Sequence, residues 1–235
     1  MELLKHTLFI NLDHRKDRYQ HAMQEFAKIG IEGSVERFSA VRTAAGNIGC
    51  TMSHIKCLET AIHRNYPYVF ICEDDITFTN PELFMENLTK VYNEKIEWDI
   101  LVVGGNTCPP FQTITDYCVR VFNVQTTTGY IVKQHYYQKL LDNFREGVNH
   151  LLREPEKKKI YSIDIYWKSL QMMDQWIIMI PLTVIQYIDY SDIEGQVVNY
   201  SGMMLDLEKK ALIEYLKKKE EEKNKTKQFF SINYT

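Results

Sequence analysis

Five largely apolar residues, Tyr68-Val69-Phe70-Ile71-Cys72, run directly into three carboxylates, Glu73-Asp74-Asp75. A run that short, apolar at consecutive positions instead of alternate ones, suits a strand buried on both faces. The acidic triplet then marks the point where the chain leaves the sheet. Such a strand needs a covering layer on each side, which rules out a half-solvated sheet as its home. The flanking sequence offers the layers. Thr7-Leu8-Phe9-Ile10-Asn11-Leu12 and Asp99-Ile100-Leu101-Val102-Val103 are further buried strands, the second closed by Gly104-Gly105, and Val35-Glu36-Arg37-Phe38 is a shorter one. Between them Tyr19, Ala22, Met23, Phe26 and Ala27 recur at helical spacing up to a stop at Gly30, and Ile55, Leu58 and Ile62 mark one face of a helix from Gly49 to Arg64. Asn80-Pro81 reads as an N-cap followed by proline at the first helical position. Strand–helix alternation of this kind predicts an α/β fold with a mostly parallel sheet covered by helices. Ligands of such sheets bind beyond the carboxyl ends of the strands, where the triplet stands.

The second half is less regular. Val119–Phe122 and Tyr130–Val132 read as strands flanking Thr126-Thr127-Thr128-Gly129, and Tyr137, Leu140, Leu141 and Phe144 as a helix. Arg153–Lys159 is a charged linker containing Pro155; Trp176–Ile180 and Thr183–Tyr187 are strands on either side of Pro181. From Glu208 to Lys227 there are eight Lys and five Glu, with Leu212, Tyr215 and Leu216 on one face, the pattern of an exposed charged helix. With no internal repeat and no Gly/Ser linker, 235 residues read as one domain over residues 1–204 and a charged helical tail over 205–235.

Charge and cysteine usage narrow the function. Lys plus Arg is 28 and Asp plus Glu 31, a net charge of −3, so the basic footprint of a nucleic-acid binder is missing. Cys50, Cys57, Cys72, Cys108 and Cys118 are odd in number and contain no CxxC pair, which argues against a disulfide framework or a structural zinc site. No apolar run reaches transmembrane length. The expectation is a cytoplasmic protein, with asparagine sequons at Asn87, Asn199, Asn224 and Asn233 leaving a secretory route open. No P-loop, GxGxxG, GxSxG or HExxH pattern occurs.

The triplet by itself admits several readings. Crowded carboxylates repel one another, and a divalent cation bridging to phosphate oxygens offsets that. A plain turn or helix start rich in acids is the structural alternative. A haloacid-dehalogenase-type phosphatase also ends a strand in spaced acids, which Glu73, Asp75 and Thr77 imitate; the nucleophile would then be a Glu on a late strand, so this reading ranks below transfer from a nucleotide sugar.

Taken together, four segments resemble glycosyltransferase family 25, which includes lipopolysaccharide and collagen galactosyltransferases. They are Phe9-Ile10-Asn11-Leu12-Asp13-His14-Arg15-Lys16-Asp17-Arg18, Phe38-Ser39-Ala40-Val41, Ile48-Gly49-Cys50-Thr51-Met52-Ser53-His54, and the strand ending in Glu73-Asp74-Asp75. Thr128-Gly129-Tyr130, Asp164, and Pro181 with Gln186 and Ser191-Asp192-Ile193 are weaker echoes. Arg42-Thr43-Ala44 departs from the family's acidic-Gly pair, and the loop before Gly49-Cys50 is shortened.

The resemblance implies a GT-A-like, Rossmann-type fold and transfer of a hexose from UDP-galactose or UDP-glucose, with Mn²⁺ (or Mg²⁺), to a glycan or a hydroxylysine-type hydroxyl, with inversion. On this reading Glu73 and Asp75, with Asp74 beside them, face the metal. Asn11, Leu12, Ala40 and Val41 line the uridine site. Arg15 and Arg18 face phosphate, unless they are solvent-facing helix charges. Ser53 and His54 sit one turn into a helix whose N-terminus faces the donor or acceptor, with a buried hydrogen-bonded His as the alternative. Asp164 is the base, Asp192 its reserve, and Gln186 and Ser191 contact sugar or diphosphate. Trp167 and Trp176 stack on an acceptor or, more simply, pack in the core. A partner-binding relative without catalysis, and an oligomer formed through the tail, remain alternatives.

Overall fold

The structure is a computed structural model that describes residues 1–210, 212–216 and 218–219. In chain order the elements are β1 (Thr7–Asn11), α1 (Lys16–Lys28), β2 (Val35–Ser39), α2 (Gly46–His63), β3 (Tyr68–Glu73), β4 (Ile76–Phe78), α3 (Pro81–Asn93), β5 (Ile100–Thr107), β6 (Phe111–Thr115), β7 (Cys118–Val121), β8 (Val124–Lys133), α4 (Tyr137–Arg153), α5 (Lys158–Tyr161), α6 (Ile163–Tyr166), α7 (Lys168–Met173), β9 (Trp176–Met179), β10 (Val184–Gln186), β11 (Asp189–Ser191), β12 (Gln196–Val198) and α8 (Ser201–Leu205). One eight-stranded sheet runs β2-β1-β3-β8-β5-β9-β7-β6. β1 pairs in parallel with β2 and β3, and β5 with β9, while β8 and β7 run against their neighbours. The sheet is thus mostly parallel in strand direction, as the α/β reading expected, with two reversed strands.

Both faces are covered. Side chains alternate along each strand, so Leu8, Ile10, Val69, Ile71, Ile100 and Val102 pack under Leu58 and Ala61 of α2 and Leu140 and Phe144 of α4. Phe9, Phe70, Cys72, Leu101 and Ile131 point the other way, against Ala22 and Phe26 of α1 and Phe84 and Leu88 of α3. Local signals behave as read. Gly30, at φ 69°, ends α1, with the Ile31 amide reaching back to the Phe26 carbonyl. Asn80 Oδ1 accepts the Leu83 amide at 3.1 Å ahead of Pro81.

Several expectations are corrected. Gly104-Gly105 does not close β5, which continues to Thr107 through two register shifts. A Cβ at Gly104 would lie 2.7 Å from Val184 Cγ1, and one at Gly105 2.4 Å from Val124 Cγ1, so close packing and not a turn requires glycine there. Thr126–Gly129 is likewise no break between two strands: β8 runs through it, and a Cβ at Gly129 would meet Ile76 and Phe70 within 3.2 Å. β6 was not expected, and the Arg153–Lys159 linker is largely helical turns. Half of the charged helix expected over 208–227 lies outside the described residues. No helix among the described residues is long and apolar enough to cross a membrane. Asn87 of the first sequon is buried, its Nδ2 donating to the Ile180 carbonyl at 3.1 Å.

Trp167 and Trp176 are fully buried and meet edge to face at 5.0 Å between centroids. Trp167 Nε1 donates to the Val124 carbonyl at 3.0 Å, which ties the short helices after α4 to the start of β8. Core packing is therefore their role. Trp167→Ala should cost about 3–5 kcal/mol of unfolding free energy, measured by urea denaturation followed by circular dichroism.

Candidate active site

Parallel strands that end at the same edge of a sheet open a crevice beyond their carboxyl ends, and here β1, β2, β3 and β5 do so. The crevice is a cavity of about 420 Å³. Ile10 lines it from β1 and Leu12 from just beyond that strand, Ala40 and Val41 from the segment after β2, and Glu73, Asp74 and Asp75 from the end of β3. Cys50, Ser53 and His54 enter from α2, Thr126 and Thr127 from β8, and Asp164 from α6. Arg15, Arg18, Gln186, Ser191 and Asp192 complete the set of sequence-predicted residues that reach it. Asn11 alone of that set stands behind the wall, where its Nδ2 donates to Asp74 Oδ2 at 2.6 Å.

The three carboxylates are held differently. Burial pushes the Glu73 carboxyl up, but hydrogen bonds from His54 and Thr127 and the charge of Arg18 outweigh it and keep it below the ordinary range. His54 Nε2 lies 3.2 Å from Glu73 Oε1, Thr127 Oγ1 donates to the same oxygen, and Cys50 Sγ is 3.7 Å from it. Glu73 is therefore tied into the wall through Oε1. Asp74 accepts from Asn11 and, at 3.2 Å, from Arg18, yet burial still leaves its carboxyl raised.

Asp75 is the exposed nerve of the cluster in energetic terms. Burial, reinforced by the charge of Glu73 and opposed by Arg18, pushes it well above the ordinary range. Its Oδ2 accepts from Gln186 Nε2 at 3.3 Å and lies 3.6 Å from Arg18, while its Oδ1 is buried without a hydrogen-bond partner among the described residues. Gln186 Oε1 and Asn106 Oδ1, both on cavity-lining residues, are buried and unpartnered too. Oxygen donors of this kind, short of protons to accept, fit a hard divalent cation such as Mn²⁺ or Mg²⁺. β10 makes this possible by pairing with β4, which sets Gln186 opposite Ile76.

Arg15 and Arg18 are not solvent-facing, and both are engaged by carboxylates. Arg15 binds Asp17, Asp189 and, at 2.8 Å, Asp192. Arg18 bridges Asp74, Asp75 and Asp189, and both arginines donate to the Tyr190 carbonyl. Asp189 was missed by sequence reasoning. Burial alone would raise it, but the Tyr190 amide and the two arginines hold it low. It sits on β11, whose hairpin with β12 folds over the cavity and brings Ile193 within 3.1 Å of where a Cβ on Gly46 would stand.

Two further expectations change. α2 begins at Gly46 and not at Gly49, so Ser53 and His54 lie about two turns into it, away from its N-terminus. Ser53 Oγ accepts the Val41 amide and donates to the Gly49 carbonyl, both at 2.8 Å, and so shapes the loop that lines the cavity. His54 is fully buried, with Nδ1 2.8 Å from Tyr130 Oη, the alternative the sequence left open. Asp164 accepts the Thr126 amide at 3.2 Å; burial, with the charge of Glu73 adding to it, raises its carboxyl. Thr126 presents that amide from φ 70°, a conformation a β-branched residue adopts only when its surroundings impose it.

Fold and crevice define the class: an α/β protein with a carboxylate-rich binding cleft at the carboxyl edge of its sheet. Residues 42–123 match the sequence model of glycosyltransferase family 25 (LPS biosynthesis protein). A "Glycosyltransferase 25 family member" of Anopheles gambiae is 24% identical over 198 residues, covering 69% of this chain and 31% of that protein. The chain thus spans about a third of the length of that relative. Among solved structures, A197 from STIV aligns with a TM-score of 0.47 at 12% identity, over 83% of this chain and 94% of that one. A glycosyltransferase involved in glycosylation of the major capsid of PBCV-1 aligns at 0.44 and 10%, over 85% and 88%. Over residues 42–123 the chain is similar to glycosyltransferase family 25, the family its motifs resemble.

The raised Asp75 carboxyl has a stability consequence. A carboxyl whose folded value lies above its unfolded one disfavours the fold at pH above the unfolded value, and that penalty vanishes as pH falls below it. Asp75→Asn should therefore stabilise the chain by about 0.5–2 kcal/mol at neutral pH. The gain should shrink toward zero near pH 3.5–4, about the unfolded carboxylate range, in urea titrations run at both pH values.

Proposed function

We propose that this chain is a metal-dependent glycosyltransferase that moves a hexose, galactose or glucose, from a UDP-sugar to a hydroxyl on a glycan or protein, with inversion. The observation that carries the reading is the buried, unpartnered Asp75 Oδ1 beside the unpartnered Gln186 Oε1 in a cleft at the carboxyl edge of the sheet. Kinship with family 25 supports it. Asp75 would hold Mn²⁺ or Mg²⁺, with Gln186 beside it and Glu73 and Asp74 setting the negative field. When bound, the cation neutralises charge on the departing diphosphate.

The remaining roles follow from positions in the cleft. Leu12, Ala40 and Val41 would line the uridine site, with Asn11 bracing the wall through Asp74 and Ser53 bracing the Val41 loop. Arg15 and Arg18, multidentate donors already aimed at carboxylate oxygens, suit phosphate oxygens by the same geometry. Ser191 and Asp192 reach the cavity from the hairpin that covers it. His54 would act through Glu73 as a positioning residue. Asp164 would be the base: its raised carboxyl favours taking a proton near neutrality, and the Thr126 amide fixes its orientation. As the acceptor oxygen bonds to the anomeric carbon and the carbon–oxygen bond to the diphosphate breaks, the acceptor's proton passes to Asp164. We assign this activity to residues 1–204, with residues 205–235 as an appendage.

Calorimetric titration with UDP, UDP-galactose, UDP-glucose and GDP-mannose, each with Mn²⁺ and with EDTA, tests the donor class. Binding of the UDP compounds that EDTA abolishes is expected, and absence of nucleotide binding in every condition would overturn the proposal. With an acceptor in hand, Asp164→Asn should lower kcat by about 10²–10⁴-fold while leaving the KM for the donor nearly unchanged. Full activity of Asp164→Asn would move the base elsewhere.

A further inference from the structure

Cys50 and His54 stand one turn apart on α2, and Glu73 faces them from the end of β3. One ligand atom from each, Cys50 Sγ, a His54 ring nitrogen and a Glu73 carboxylate oxygen, all lie within 4.8 Å of one another. Two edges of this triangle are resolved: His54 Nε2 to Glu73 Oε1 is 3.2 Å and Cys50 Sγ to Glu73 Oε1 is 3.7 Å. Zinc bonds of about 2.0–2.3 Å in tetrahedral geometry place ligand atoms about 3.3–3.8 Å apart. The two edges thus approximate a tetrahedral face before any ion enters.

Three more observations point the same way. The other ring nitrogen of His54, Nδ1, is 2.8 Å from Tyr130 Oη, and Tyr130 is itself fully buried. A ligating histidine is usually held through its second nitrogen in this manner, which fixes ring orientation and tautomer. Thr127 Oγ1 donates to Glu73 and fixes that carboxylate as well. All three candidate ligands line the cavity, so an entry path exists and the fourth position opens on the cleft.

We propose that Cys50, His54 and Glu73 form a three-ligand site for a thiophilic divalent cation such as Zn²⁺, with its fourth position open to the cleft. It differs in chemistry from the all-oxygen set around Asp75. Soft thiolate and imidazole select Zn²⁺ or Cd²⁺, whereas Asp75 and Gln186 offer only hard oxygens. On binding, the Cys50 thiol releases its proton to solvent and the thiolate bonds the metal. His54 ligates through Nε2 with its proton on Nδ1, donated to Tyr130 Oη. Glu73 supplies one oxygen. No redox change occurs. The site is assigned on its own geometry, independently of the transferase reading.

The test is a titration of the purified, reduced chain with Cd²⁺, followed by thiolate-to-metal charge-transfer absorption in the ultraviolet, with millimolar Mg²⁺ present throughout. One equivalent should bind, and competition should show Zn²⁺ displacing it. Cys50→Ser should abolish the band while Cys108→Ser, as the control cysteine, retains it. Tyr130→Phe, which keeps the ring and removes only the hydroxyl, should weaken binding about 10–100-fold. Circular dichroism of each variant verifies its fold, and the unmodified chain alone decides the first outcome. Absence of the band in the unmodified chain with Mg²⁺ present, or its persistence in Cys50→Ser, would each overturn the proposal. Failure of nucleotide binding would leave this spectroscopic result untouched and bear on the transferase reading alone.

Discussion

Three consecutive carboxylates at the end of a buried strand are a charge that the rest of the chain must answer. Taking even one carboxylate out of water without partners costs several kcal/mol, and Asp74 and Asp75 are both buried. The answers come from elements far apart in sequence: Asn11 from β1, Arg18 from α1, His54 from α2, Thr127 from β8 and Gln186 from β10. Each of these elements is pinned to the carboxyl edge of the sheet by a bond to the triplet. The topology can be read as the arrangement that lets them converge, with antiparallel β8 beside β3 supplying Thr127 where a parallel strand would have brought its other end.

The compensation is uneven. Glu73 is the best supplied with donors, Asp74 is only partly compensated by an amide and a guanidinium, and Asp75 keeps an oxygen with no hydrogen-bond partner among the described residues. A chain under selection for stability alone would place an asparagine or an apolar residue at such a position. The neighbouring Gln186 Oε1 makes an accidental defect a poor account, because two acceptors on one cleft lack the same thing, a hydrogen-bond partner among the described residues.

How much of this was legible depends on whether the signal is local. Buried strands announce themselves through runs such as Tyr68–Cys72, and helix ends through Gly30 and Asn80-Pro81, because the causes lie within a few residues. The cleft residues were legible as a set only through the order of motifs along the chain, since nothing in Leu12 or Ala40 alone speaks of a pocket. What escaped is what depends on approach between distant segments. Gly104 and Gly105 read as the close of a strand and Gly129 as part of a segment between two, yet they are glycine because Val184, Val124 and Ile76 come too close for a side chain. Asp189 was overlooked for the same reason: its meaning lies in Arg15 and Arg18, about 170 positions earlier, a distance at which sequence spacing carries no geometric content.

That same ion-pair set explains why the cleft does not simply repel an anionic ligand. The triplet and Asp164 make its floor negative, but Arg15 is bound to Asp189 and Asp192 of the β11–β12 hairpin and Arg18 to acids of both hairpin and floor. Arg18 belongs to the two sides at once, holding Asp74 and Asp75 below and Asp189 above. An incoming group with several anionic oxygens competes for guanidinium donors that already adopt the geometry such oxygens require, and so loses little to reorganisation. The hairpin's acids would then lose their partners. The hairpin that covers the cleft and the carboxylates of its floor are in this way held through one side chain, Arg18, which is the sense in which the site's electrostatics and its covering loop form a single structural device.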